Sequence, residues 1–291
     1  ESVSTAPTRS IDGVPYDRAR FAPPPYADPE MGAAADALAR EAGISRERQD
    51  AYAARSHARA LAALESKRFV EEIVPVGGVD RDDRPRAGIT RDRLARLPAA
   101  FVEGGTVTAG NSCGVNDGAA AVALVPASRL DGVAGLRVLD WACVGCDPAL
   151  PGLGPVPAVR AVLERQGLEL EDIGAIEIVE AFAGQVLACA DALEVDPERL
   201  CREGGAIALG HPWGASGAVV MVRLFGQLVR HDGPDLGLAC AAIGGGMGIA
   251  VLVERVGRRV SEVGGDEGAT RAANKTPTAT TDTQRVGRRV R

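Results

Sequence analysis

The sequence contains few aromatic residues, few histidines and almost no lysine. Aromatic residues make up 3% of the 291 residues, and the histidines number three. Lysine occurs only at Lys67 and Lys275. With 46% hydrophobic residues, this composition predicts an α/β protein with a core of Ala, Val, Leu and Ile. The formal net charge of −6 excludes a domain-wide basic surface and argues against a nucleic-acid partner.

Long apolar runs and a signal-peptide pattern are missing as well. No apolar run is long enough to cross a bilayer, so we predict no membrane partner. The first residues show no signal-peptide pattern, and reduced cysteines are the default in such a protein. We therefore expect a cytoplasmic location.

The six cysteines include one C-x-x-C pattern, Cys143 and Cys146. No second cysteine pair and no histidine lies near it in the sequence. A zinc or redox site needs more than this pattern, so we interpret the two residues as buried strand cysteines. We predict no metal site.

A glycine-rich segment around one histidine is the most informative stretch. Residues 204–217 hold five glycines, His211 and Pro212, and an apolar run from Ala218 to Leu228 follows. Glycine permits tight turns and proline stiffens the next step. With Gly214–Ser216 as the helix cap, the pattern predicts an imidazole on a rigid turn at a helix start, where negative charge is stabilised. The alternative is a glycine-rich turn with a structural histidine.

Other motifs occur on both sides of this segment. In chain order they are Glu1–Pro7, Phe69–Val76, Gly105–Gly118, Ile178–Ala183 and Ala242–Ala250. Together with the histidine turn, and in this order, they resemble the thiolase family over residues 1 to about 254. The resemblance implies an α/β thiolase-like fold, with helices on both faces of a mixed sheet and an inserted loop domain.

The resemblance also implies a domain organisation. We expect a loop domain that covers coenzyme A at residues 1–115, a remnant of the N-terminal domain at 116–131 and a C-terminal domain at 132–254. Residues 255–291 are polar and contain Arg-Val-Gly-Arg-Arg-Val twice, which predicts a disordered tail.

Apolar periodicity predicts the secondary structure. The expected helices are Met31–Glu41, Ser45–Ser66, Pro155–Gln166, Glu180–Leu193 and the run after His211. The expected strands are Phe69–Val76, Ala119–Val125, Leu136–Cys146, Ala175–Val179, Leu236–Ile243 and Gly248–Val253. An arginine-rich loop is expected at Asp80–Arg96.

The first residues match a thiolase segment that follows the domain holding the nucleophilic cysteine. We therefore expect the nucleophile to lie on a segment outside this sequence or on a partner chain. The continuous apolar run Ala119–Val125 agrees, because a strand buried on both faces needs a neighbouring sheet.

The resemblance assigns roles to single residues. It implies catalytic roles for His211 and Glu180 and backbone oxyanion donors at Gly210, Gly244 and Gly245. It implies coenzyme A contacts for His57, Ser112, Cys113 and Ser216, with coenzyme A as part of the substrate and no separate cofactor. The arginines of Asp80–Arg96 fit a clamp on its phosphates; a solvated surface is the alternative.

Three positions depart from the family pattern. Val179 stands where thiolases have an oxyanion asparagine, and Ala242 stands where they have the cysteine base. Cys240 lies on the same face of its strand as Ala242 but about 7 Å away, too far to substitute. Loss of a general base usually costs about 10²–10⁴-fold, so we expect an impaired carbon–carbon step. Cys113 replaces a serine, and nothing nearby in sequence lowers its pKa to make it a nucleophile.

Three functions stay open. The first is a variant or incomplete thiolase-like acyltransferase acting on acyl-CoA thioesters. The second is a non-catalytic thiolase-fold subunit that binds acyl-CoA or supports an active partner. The third is a hydrolase or lyase that depends on His211. We expect an acyl thioester ligand and a homo- or hetero-oligomer with a thiolase-fold chain.

Overall fold

The computed structural model describes residues 2, 10–15, 18, 20–129 and 132–257. Most of the expected tail and of the opening motif lies outside these residues. The first described elements are two short paired strands, β1 (Ser10–Ile11) and β2 (Val14–Pro15). A cis peptide bond joins Pro24 and Pro25 in the loop that follows.

The α-helices in the first half of the described chain are three in number. They are α1 (Met31–Glu41), α2 (Arg46–Glu65) and α3 (Arg91–Leu94). The expected start of α2 is confirmed, because the Ser45 side chain accepts a hydrogen bond of 3.2 Å from the Arg48 backbone N–H and so caps the helix. Helix α3 interrupts the loop that we expected over Asp80–Arg96.

Residues Phe69–Val76 do not form the predicted strand. They form turns and a single bridge between Val76 and Val79. Phe69 is buried, whereas Val70, Val74 and Val76 are exposed. The apolar pattern is therefore that of one anchoring residue followed by a surface turn, and no strand of the described chain runs beside it.

The predicted strand Ala119–Val125 is also wrong for this structure. The segment has no regular secondary structure, and Leu124 is 84% exposed, with Val122 and Val125 also exposed. A strand needs a neighbour to satisfy its backbone N–H and C=O groups. No strand of the described residues pairs with this segment, so its β propensity is not realised.

A four-stranded mixed sheet forms the centre of the second half. Its strands are β3 (Gly135–Gly145), β4 (Ala175–Ile178), β5 (Leu236–Ile243) and β6 (Met247–Val256), in the order β3-β6-β5-β4. Strands β4 and β5 are parallel, and the other pairs are antiparallel. The predicted mixed sheet is confirmed, with each strand within three residues of its expected ends.

Helices cover both faces of this sheet. On one face lie α4 (Pro155–Gln166) and α5 (Ala183–Ala192), and on the other lies α7 (Trp213–Phe225). Along β4, Ile176 and Ile178 enter the larger core, whereas Ala175 packs with Leu224 and Leu228 of the smaller core. Successive side chains of a strand point to opposite faces, so one strand serves two cores.

The C-x-x-C cysteines were predicted to be buried, and this prediction is wrong. Cys143 is exposed and Cys146 is half-buried, because β3 is an edge strand of the sheet. In the part of the chain that the structure describes, no group of His, Cys, Asp or Glu side chains has the arrangement of a metal site. No helix within the described ranges is long and apolar enough to span a membrane.

Candidate functional site

His211 lies on the turn between α6 (Ala206–Leu209) and α7. Gly210 before it has φ = +104°, a conformation that L side chains rarely adopt, and a Cβ at this position would collide with Asn116. The His211 backbone N–H donates to Gly114 O at 3.0 Å. The predicted rigid histidine turn is confirmed.

The start of the following helix differs from the prediction. Helix α7 begins at Trp213, directly after Pro212, and no side chain caps it. Gly214 and Ser216 therefore lie inside its first turns rather than before it. The fixed φ of Pro212 suits the position just before a helix, and it starts the helix earlier than the glycines suggest.

This shift brings Ser216 to the imidazole. Ser216 Oγ and His211 Nδ1 lie 2.6 Å apart. Burial lowers the pKa of His211 to about 4, so the imidazole is neutral near pH 7. A neutral imidazole has one N–H and one lone pair. With Nδ1 held by Ser216, Nε2 is the nitrogen left for chemistry. The predicted contact of Ser216 with coenzyme A stays a prediction.

Glu180 is buried behind the histidine turn, just before α5. Its carboxylate accepts hydrogen bonds from Tyr52 Oη at 2.8 Å, Ser56 Oγ at 2.7 Å and the Ile207 backbone N–H at 3.1 Å. Burial raises the pKa of Glu180, and these hydrogen bonds oppose the rise. The contacts tie α2 to the start of α6, so they position the turn. The direct catalytic role that we expected stays a prediction.

The glycine turn between β5 and β6 lies against Phe21. A Cβ on Gly244 would lie 2.8 Å from the Phe21 ring, and one on Gly245 would lie 2.6 Å from the Phe21 carbonyl oxygen. Gly245 and Gly246 both have positive φ. The turn therefore needs glycine for close approach and for its backbone conformation. Its predicted role as an oxyanion donor stays a prediction.

Val179 and Ala242, which depart from the family pattern, lie at the end of β4 and on β5. Val179 is buried at the end of β4, where its N–H donates to Cys240 O at 3.0 Å. Ala242 is half-buried on β5. Cys240 packs in the larger core, and burial raises its pKa strongly. A buried thiol of this kind is a poor base, which adds to the distance argument against Cys240.

A cavity of about 290 Å³ lies beside the histidine turn. His57 of α2 forms part of its wall, and its Nδ1 accepts a hydrogen bond from the Arg86 backbone N–H at 3.3 Å. Burial lowers the pKa of His57, and Arg86 and Arg84 lower it further. The remaining wall residues are Arg84, Arg86, Ile89, Arg93, Leu94, Leu97, Ala109, Gly110, Ser112 and Ile207.

Two of the four predicted coenzyme A contacts, His57 and Ser112, thus line one cavity. Ser112 Oγ donates to Thr108 O at 2.6 Å. Cys113 lies next to this wall, with its N–H donating to Ala181 O. Burial raises the pKa of Cys113 to about 12, which agrees with the view that this thiol is not an activated nucleophile.

Two family models match the chain. The model "Thiolase, C-terminal domain" matches residues 133–255, and "Thiolase, N-terminal domain" matches residues 24–128. The chain belongs to the thiolase family. Family membership confirms the resemblance on which the expected fold and the site residues were based. The expected domain boundaries stay a prediction.

Curated thiolases resemble the chain over most of its length. It is 45% identical over 243 residues to the acetyl-CoA acetyltransferase of Pseudomonas aeruginosa, covering 79% of this chain and 61% of that protein. It is 47% identical over 243 residues to the 3-ketoacyl-CoA thiolase of Shigella dysenteriae, covering 78% and 62%. The chain therefore spans about six tenths of the length of these relatives.

Solved thiolase structures share its fold. The crystal structure of the Bacillus anthracis acetyl-CoA acetyltransferase superposes with a TM-score of 0.75 at 39% identity, covering 80% of this chain and 61% of that one. The human mitochondrial 3-ketoacyl-CoA thiolase in complex with CoA superposes with a TM-score of 0.71 at 35% identity, covering 78% and 59%.

The loop of residues 106–112 contributes Ala109, Gly110 and Ser112 to the cavity wall. The thiolase resemblance did not predict which contacts hold this loop in place. Asp36 Oδ1 accepts from the backbone N–H groups of Thr106 at 2.6 Å and Val107 at 2.9 Å, and Asn111 Nδ2 donates to Asp50 Oδ1 at 3.0 Å. These partners are 61 to 71 residues apart in sequence. Thr106, Val107 and Asn111 lie in the motif Gly105–Gly118, but Asp36 and Asp50 lie outside every recognised motif, so local patterns gave no signal for the two aspartates.

A buried arginine joins the two halves of the chain and was also missed. Arg223 of α7 forms ion pairs with Glu72 and Glu203, and its guanidinium lies 3.8 Å from the centre of the Phe69 ring. The only sequence signal was one charged residue inside the apolar run Ala218–Leu228. This contact explains why Phe69 is buried although the segment after it is not a strand.

Proposed function

We propose that this chain is the part of a thiolase-family acyltransferase that binds an acyl-CoA thioester and presents His211 to it. The observation that carries the proposal is the cavity in which cationic side chains share a wall with Ile207, four residues before His211. Ile207 of that wall lies in α6, which leads directly into Gly210 and His211.

The wall of the cavity matches the two chemical parts of coenzyme A. Arg86 and Arg93 supply guanidinium groups, which suit phosphate oxygens because they donate in a planar fork. Ile89, Leu94 and Leu97 supply apolar surface for an uncharged chain. Ligand sites commonly combine apolar walls with a few placed polar groups in this way.

The imidazole of His211 can act at the thioester as a base or as a hydrogen-bond donor. Because it is neutral near pH 7, it can take the proton of a nucleophilic thiol and return it to the leaving coenzyme A thiolate. We propose that the thiol comes from another segment or chain, because burial raises the pKa of Cys113, Cys146, Cys189, Cys201 and Cys240 above the ordinary value.

The carbon–carbon step is the weak point of the proposal. Val179 offers no side-chain hydrogen bond to an oxyanion or its water, and Ala242 offers no base. We therefore propose acyl transfer without removal of an α-proton, as in transfer to an acceptor that is already a nucleophile. The same two residues support the second candidate, a thiolase-fold subunit that binds acyl-CoA and does not react.

Titration calorimetry of the chain with free coenzyme A tests the binding step. Arg93→Ala should weaken binding, because a hydrogen bond to a charged group contributes about 1.5–3 kcal/mol, or about 10- to 100-fold in the dissociation constant. Arg91→Ala is the matched control, since Arg91 lies on the same helix α3 but not on the cavity wall. If coenzyme A does not bind, or if both variants behave alike, the proposed site is wrong.

Mass spectrometry of the complete protein or complex with acetyl-CoA separates the two candidates. Acyl transfer predicts a covalent acyl adduct and turnover that His211→Ala removes. The subunit candidate predicts saturable binding with no adduct on any chain of the assembly.

A further inference from the structure

Arg84 lies at the end of the cavity nearest His211, where it packs against Gly210. Its Nε is shielded from solvent and has no hydrogen-bond partner among the described residues. Arg84 also has no ion-pair partner within the ranges that the structure describes. The side chain as a whole is half-buried, but a buried guanidinium N–H that donates to no acceptor is costly. It therefore calls for an explanation by what occupies the cavity.

The position of Arg84 differs from those of the other cavity arginines. A Cβ on Gly114 would collide with the Arg84 guanidinium, and one on Gly210 would lie 2.9 Å from Arg84 Cδ. The carbonyl of Gly114 accepts the His211 N–H, and Gly210 precedes His211. Arg84 therefore packs against both peptides that hold the histidine.

Arg86 and Arg93 lie elsewhere on the wall. The backbone of Arg86 bonds His57, and Arg93 Nη1 donates to Gly88 O at 2.9 Å. These two side chains already serve the phosphate end in the proposed function. A third guanidinium beside the histidine turn is not needed for phosphates, because the phosphates of coenzyme A are far along the molecule from its thioester.

A second polar atom without a partner lies at the same place. Asn116 Oδ1 is buried and unbonded, and it contacts the Gly210 side of the turn, as Arg84 does. Asn116 Nδ2 donates to the carbonyl of Asp117 at 2.8 Å. One shielded guanidinium nitrogen and one shielded amide oxygen thus belong to side chains on the same side of Gly210, which is the pattern of a polar subsite.

We propose that Arg84 recognises a carboxylate on the acyl group, so that the substrate class is an acyl-CoA whose acyl chain ends in a carboxylate. This inference rests on the proposed function, because it requires the acyl thioester to lie at His211. A permanent anion suits a permanent cation better than a thioester oxygen does, and a carboxylate matches the guanidinium fork with two hydrogen bonds.

Calorimetry with three probes tests the inference: free coenzyme A, pentanoyl-CoA and glutaryl-CoA. The two acyl probes have the same number of acyl carbons and differ in the terminal carboxylate. We expect glutaryl-CoA to bind about 10- to 100-fold more tightly than pentanoyl-CoA, the range of a hydrogen bond to a charged group.

Two substitutions locate the effect. Arg84→Gln should abolish the preference, so that this variant binds glutaryl-CoA and pentanoyl-CoA with affinities within about twofold of each other, less than one lost hydrogen bond costs. Arg84→Lys should keep part of the preference, since it keeps the charge and loses the fork. Arg81→Gln is the matched control, because Arg81 is exposed in the same loop and is not on the cavity wall. Thermal unfolding of each variant checks that it is folded.

The outcomes separate this inference from the proposed function. If free coenzyme A does not bind, the proposed site fails and the inference fails with it. If coenzyme A binds but the two acyl probes bind equally, only the inference is overturned. If Arg84→Gln weakens all three probes alike, Arg84 serves coenzyme A itself and the carboxylate proposal is wrong. A preference that survives Arg84→Gln also overturns it.

Discussion

His211 Nδ1 and Ser216 Oγ lie 2.6 Å apart, across the first turns of α7. The contact exists because the helix begins at Trp213, directly after the proline. It holds one imidazole nitrogen inside the protein and leaves the other for a ligand. Much of the proposed chemistry follows from this one hydrogen bond.

Ser216→Ala should release the imidazole. A typical hydrogen bond contributes about 0.5–1.5 kcal/mol, so we expect acyl transfer by the complete protein to fall about 2- to 10-fold. The Nδ1 resonance of His211 in nitrogen NMR should shift, because this nitrogen loses its hydrogen-bond partner. Ser216→Thr keeps the hydroxyl and should keep the resonance. An unchanged His211 spectrum in the alanine variant would contradict this account.

The stability of the protein should depend on His211 below neutral pH. Burial lowers its pKa from 6.5 to about 4 in the folded state, so the unfolded chain binds the proton first as the pH falls. This contribution to stability is therefore present above pH 6.5 and is lost between about pH 6.5 and 4. Urea unfolding across this range measures the slope, and His211→Gln should reduce it. Equal slopes in the two proteins would argue against a buried neutral imidazole.

Glu180→Gln should destabilise the fold. The carboxylate accepts three hydrogen bonds in a buried site, and the amide replaces one acceptor oxygen with a donor. Each buried group left unsatisfied costs about 1–3 kcal/mol, so we expect a loss of about 2–4 kcal/mol in the free energy of unfolding. The matched control is Glu198→Gln, which removes an exposed carboxylate and should cost about 0–1 kcal/mol.

Chemical denaturation of the two glutamate variants gives the comparison directly. If Glu180→Gln costs no more than Glu198→Gln, Glu180 does not position α6. If it leaves stability unchanged and removes acyl transfer, the direct catalytic role expected from the family is favoured instead.

Gly210→Ala should disturb the histidine turn. The residue has φ = +104°, and a side chain here would meet Asn116, so we expect a cost of about 1–3 kcal/mol and loss of coenzyme A-dependent activity. Gly217→Ala is the matched control, because that position lies inside α7 with no heavy atom within 4 Å of a Cβ. It should stabilise the protein by about 0.5–1 kcal/mol. Thermal unfolding of both variants checks the pair, and similar effects would contradict the turn geometry.

Most elements of the fold were predictable from local patterns. Helix α2 has a serine cap and helical spacing, and strands β3 and β5 are apolar runs that end near glycine. Both signals depend on neighbours within a few residues. Phe69–Val76 and Ala119–Val125 have the same kind of apolar composition, yet neither is a strand here. A strand depends on a partner elsewhere in the fold, and composition alone does not supply one.

The sequence by itself determined the family, the mixed sheet and the histidine turn, because motif order, apolar periodicity and glycine placement are all local features. It also singled out His57 and Ser112, which line one cavity in the structure; their contact with coenzyme A stays a prediction. Only the tertiary structure decided that Glu180 is held by Tyr52 and Ser56, and that Arg84 lies against the turn with its Nε unpaired among the described residues. The glutamate contacts join residues more than 120 positions apart. Whether a charged side chain is paired depends on folding the whole chain, which no short pattern encodes.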